Sequence, residues 1–135
     1  MAARARIDVA DAAGVTPAAC AAGRGHAEVL ASLLRAGADA RERNRAGDSL
    51  LNLAARGGHV QTVRVLLDAG QELNVQNAVG DTALILASQA GAADVADLLL
   101  KAGAKRTLRN RDGQSAADIA AARGFDGLVA RLSAS

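Results

Sequence analysis

The chain has 135 residues, half of them hydrophobic, yet Phe125 is its only aromatic residue and about 35 positions are alanine. Base stacking on single-stranded nucleic acid needs aromatic platforms, and one Cys with two His makes neither a Cys/His zinc site of the usual kind nor an internal disulfide. Sixteen basic residues, mostly Arg, against fourteen acidic ones leave a net charge of +2, only mildly basic.

Residues 1–10 come first in chain order. Met1–Arg6 carries charge, but Asp8 and Asp11 follow it instead of an apolar stretch. That is not a secretory signal, and no apolar run approaches the ~18 residues of a membrane-spanning helix. The expected location is therefore cytoplasmic or otherwise intracellular, with no membrane insertion. Residues 1–10 line up with the tail of a repeat, since Ala5–Val9 parallels Ala38–Glu42.

From residue 11 a single period governs the chain. Gly14, Gly47, Gly80 and Gly113 are 33 apart, as are Thr16, Ser49, Thr82 and Ser115, then Gly25, Gly58, Gly91 and Gly124, then Leu33, Leu66, Leu99 and Leu132. The repeats read 11–43, 44–76, 77–109 and a shortened 110–135. Each unit makes sense as turn, helix, turn, helix. The Gly14 series serves a tight turn. The Thr16 series sits where an N-cap oxygen satisfies free helix N–H groups, and Pro17 takes the favoured first helical position. Short Ala-rich helices are predicted over 18–22, 50–55, 83–87 and 116–122, ended by the Gly25 series. Second helices follow with apolar residues at helical spacing, among them Val29, Leu30, Val63, Leu66, Val95, Leu99, Leu128 and Leu132. Gly37, Gly70 and Gly103 stop them.

These residues resemble the ankyrin repeat. Gly14-Val15-Thr16-Pro17 with Ala21-Ala22 and Gly25-His26, Ala54-Ala55 with Gly58-His59, and Gly37-Ala38-Asp39 match its wording, and Asp118-Ile119-Ala120 with Arg123-Gly124 resembles a closing repeat. Leu50-Leu51-Asn52, Ala83-Leu84-Ile85 and Ala116-Ala117-Asp118 depart from its Pro-Leu-His, and Ala92 and Phe125 from its second His. The resemblance implies one domain, an all-α solenoid of stacked helix-turn-helix units with β-turn or hairpin tips. It also implies a non-catalytic protein-binding module, acting as scaffold, adaptor or inhibitor.

A search for chemistry supports that expectation. Cys20 and His26 flank the Gly25 turn and share no helical face, and the Gly-His imidazoles serve loop-to-helix hydrogen bonds in the family. No phosphate-binding glycine loop is present. No cofactor, metal or catalytic residue is expected. Carried over by position, the binding face consists of the tips and the exposed side of the first helices. Its candidate residues are Arg24, Arg43, Arg45, Asp48, Arg56, Asp81, Gln89, Arg109, Arg111 and Arg123. Arg24, Arg56 and Arg123 form a broken basic line with Gln89 in the gap, suited to carboxylates of an acidic protein segment. Asp48, Asp81 and Asp112 interrupt it, so the same charges also suit plain solubility. The alternative is a nucleic acid or other anionic ligand on the same Arg residues. The expected state is a monomer, with self-association open through an apolar flank of repeat one around Ala18, Ala19 and Cys20.

Overall fold

The computed structural model describes residues 15–133. Gly14, the tip residues Ala12 and Ala13, and the lead-in 1–10 lie outside the described residues. Within them run eight helices in four pairs: α1 Pro17–Arg24 and α2 Ala27–Arg35, α3 Leu50–Gly57 and α4 Val60–Asp68, α5 Ala83–Ala90 and α6 Ala93–Lys101, α7 Ala116–Ala122 and α8 Asp126–Ser133. The first helices of the first three pairs run two or three residues past the predicted ends, because the Gly25, Gly58 and Gly91 backbones form the C-cap itself.

Each first helix starts as the hydroxyl series dictates. Thr16, Ser49, Thr82 and Ser115 are extended N-caps whose side chains accept from Ala19, Asn52, Ile85 and Asp118 backbone N–H groups at 3.1, 3.1, 3.2 and 3.3 Å. Second helices end in equivalent wraps, with the Ala38 and Ala104 N–H groups bonded to the Leu33 and Leu99 carbonyls, each at 2.9 Å.

Helices pack only on neighbours. The first helices form one layer, α1 on α3, α3 on α5 and α5 on α7, and the second helices form another, α2 on α4, α4 on α6 and α6 on α8. Alanine makes this spacing workable. Ala18, Ala22, Ala54, Ala55, Ala83, Ala87 and Ala120 are wholly buried beside Leu51, Leu84, Leu66 and Leu99. The expected flank of repeat one is corrected here. Ala18 and Ala19 are buried, while Cys20 of the expected flank stays partly exposed and is joined by Leu33 and above all by Val29, which is 52% exposed.

The turn between the helices of a pair carries a second contact column. His59 Nε2 lies 3.0 Å from the Gly23 carbonyl, and a methyl group added at Gly25 would stand 2.4 Å from the His59 ring. One period later the same column holds Ala92 against Gly58, and after that Phe125 against Gly91.

Candidate functional site

The tips are built by an asparagine column that lies outside the candidate residues: Asn44, Asn77 and Asn110, spaced by 33. In each tip the Asn N–H donates to the carbonyl four residues on, of Asp48, Asp81 and Gln114, at 3.0 Å. The Asn side-chain oxygen accepts in return from the N–H of Asp48, Asp81 or Gln114 at 2.9 to 3.0 Å. An Asn serves here because its amide oxygen imitates a backbone acceptor inside a turn. The only strand-like pairing among the described residues is a single antiparallel bridge between Arg43 and Ser49.

Successive tips are joined through the main chain. The Ala78 N–H donates to the Ala46 carbonyl at 2.9 Å, and the Arg111 N–H to the Val79 carbonyl at 3.0 Å. The chains come so close that a Cβ at Gly80 would stand 2.9 Å from the Arg111 backbone nitrogen, and Gly80 also has φ +82°, so glycine is required twice over. Gln76 adds a strap, its amide donating to the Gly80 and Arg109 carbonyls, each at 2.9 Å.

The acidic members of the candidate set turn inward. Asp48 has no exposed side-chain surface; it takes a two-pronged contact from Arg56 at 2.8 and 3.2 Å and a third bond from Asn77 Nδ2 at 2.8 Å. Asp81 repeats the arrangement, accepting from Gln89 at 3.3 Å and from Asn110 at 3.0 Å. Arg56 and Gln89, eight residues beyond each Asp, thus pull the tip onto the first helix, and the asparagines tie it to the next repeat. The Asp48 and Asp81 carboxylates are out of a partner's reach, and the Arg56 guanidinium is paired inside the fold although its side chain is 47% exposed.

The remaining arginines are arranged differently. Arg109 is exposed but donates to the Gly113 carbonyl at 2.8 Å and pairs with Asp118 at 3.1 Å. Arg43 and Arg45 at the second tip, Arg111 at the fourth, and Arg24 and Arg123 at first-helix ends are exposed, and their guanidinium groups make no ion pair among the described residues. Asp118 also completes a capping box with Ser115. Hydrogen bonds from the Ser115 backbone and hydroxyl, then the Arg109 charge, hold its carboxyl below the ordinary 3.8. Among the described residues no group of three or more His, Cys, Asp or Glu is placed to hold a metal, and no helix is long and apolar enough to cross a membrane.

Helix pairs stacked in two layers, with main-chain-linked tips along one edge, define a helical repeat solenoid. More narrowly, the chain belongs to the ankyrin-repeat family: a model of three ankyrin-repeat copies matches residues 2–77 and a single-repeat model matches 79–111. Ankyrin repeats are generic protein–protein interaction modules. Comparison with curated proteins finds no match.

Proposed function

We propose that this chain is a non-catalytic interaction module whose four repeats, taken as 11–43, 44–76, 77–109 and 110–135, bind an acidic protein segment across the tips and first-helix ends. One observation carries the proposal: on that face the acids Asp48 and Asp81 are consumed inside the fold, while Arg24, Arg43, Arg45, Arg111 and Arg123 are left exposed and unpaired among the described residues. The second-helix layer is different, since Arg131 is paired with Asp97 of the preceding repeat and exposed Glu28, Asp68, Asp94 and Asp126 stand among Arg35, Arg64 and Lys101. Guanidinium forks suit carboxylates, and such a field steers association as well as holding it. The lone free Cys20 suits a reducing, intracellular setting.

The test uses Arg45→Glu/Arg111→Glu, two exposed side chains with no internal duty. Arg56→Glu is the wrong probe, because it sets a second carboxylate against buried Asp48. The wild type is expected to retain a protein partner from native lysate that the double variant, melting at the same temperature, does not retain. Equal retention by both removes the tips from the site. Recovery of nucleic acid alone, with affinity falling steeply and linearly against log salt, replaces the protein reading by the polyanion reading.

A further inference from the structure

Two large apolar side chains stand out from the described surface, Val29 at 52% and Val79 at 56% exposed. Stacking register accounts for Val29. Its counterparts Thr62, Val95 and Leu128 are buried, each packed toward the pair before it, and Val29 belongs to the first described pair. Val79 has no such account. Its counterparts Ala46 and Asp112 are exposed as well, so the stack never covers this position and a valine there shields nothing in the fold.

What surrounds Val79 is charged. The two inter-tip hydrogen bonds set the tips of residues 44–48, 77–81 and 110–114 side by side. Ala78, next to Val79, has Arg45 at its own position in the tip before and Arg111 in the tip after. Val79 is one residue off that column, and its own column holds exposed Ala46 and Asp112. Since its carbonyl accepts from the Arg111 N–H, the exposed apolar side chain stands next to Arg111, with Arg45 in the tip before. We infer that this row takes an extended protein segment carrying an apolar residue, seated on Val79, between two carboxylates that pair with Arg45 and Arg111; the inference rests on the acidic-segment proposal above. Stacked helix layers lie about 8–10 Å apart and an extended chain advances about 3.3 Å per residue, so neighbouring tips meet ligand residues about three apart. The recognised pattern has two acidic residues about six apart with the apolar residue off centre between them, nearer the acid that pairs with Arg111. Its two ends are unequal. Arg43 reinforces Arg45, whereas exposed Asp112 opposes Arg111 and Arg109 is engaged with Asp118, so the more acidic end lies over residues 43–45. A phosphate backbone offers no apolar group between its charges, which favours a protein over a nucleic acid.

The experiment selects a displayed library of short random peptides on the wild type, then measures the selected peptides on Val79→Ser and on Arg45→Glu/Arg111→Glu, each first shown by thermal melting to be folded. Enrichment of the stated pattern is expected, with about tenfold weaker binding to Val79→Ser and loss of binding to the charge-reversed variant. Acidic peptides with no preferred apolar position, bound equally by Val79→Ser, overturn this inference and leave the acidic-segment proposal standing. Selected peptides without acidic residues, or no enrichment beyond that on the charge-reversed variant, overturn both.

Discussion

A carboxylate withdrawn from water must be met by donors, and Asp48 and Asp81 meet that demand in parallel, one repeat apart. Asn77 is the hinge of the arrangement, since its Nδ2 serves Asp48 while its Oδ1 accepts from the Val79 and Asp81 N–H groups. Asn77→Ala should therefore cost about 1–3 kcal/mol in urea melts, more than Ala at exposed Arg45. Asp118 gives a pH test. Its folded pKa is depressed, so its stabilising effect is present above the ordinary carboxylate value of 3.8 and is lost as pH falls through the lower folded value. NMR titration should place Asp118 below the ordinary carboxylate value of 3.8, and amide protection in α7 should fall over that acidic window. At this scale the N-cap hydroxyls were legible, because a cap lies three residues from its target. The roles of Asp48 and Arg56 were not. Their bonds join residues 8 and 29 apart, and only the stacked structure distinguishes an inward carboxylate from one interrupting a basic line.

Among the elements, glycines at the same kind of helix end are not equivalent. Gly25 has φ +77° with the His59 ring where its Cβ would be, while Gly70 has φ +80° and open space. Gly25→Ala should destabilise well beyond the ~1–2 kcal/mol of a left-handed alanine, and Gly70→Ala should stay near that figure; thermal melts of the two variants decide it. Period and helix type were legible from the 33-residue columns. The ends of α1, α3 and α5 were not legible, because their last turns, such as Arg56-Gly57, carry no apolar signal and lie exposed.

Across the whole molecule, the main helix contacts among the described residues lie within a pair or between adjacent pairs, so stability is a chain of local interfaces. Leu66→Ala and Leu99→Ala, both fully buried in inner pairs, should cost about 2–5 kcal/mol and lower the main transition. Leu132→Ala in the last pair should loosen α8 first, seen as early loss of its amide protection while α3 to α6 remain protected. The family and the stacking order were legible in the sequence. The outward-facing row was legible only in part, because exposure of Val79 matters through Arg111, whose N–H bonds its carbonyl, and through Arg45 in the tip before.

The hydrogen bonds that join the tips are made by main-chain groups, by asparagine amides and by the Gln76 amide. Residues 45, 46, 78, 79, 111 and 112 project from that frame without a side-chain duty in it. Mutation at these six positions should therefore leave folding unchanged, so if the proposed tip surface is the binding site, a new specificity is open to this chain with no compensating change in the helices.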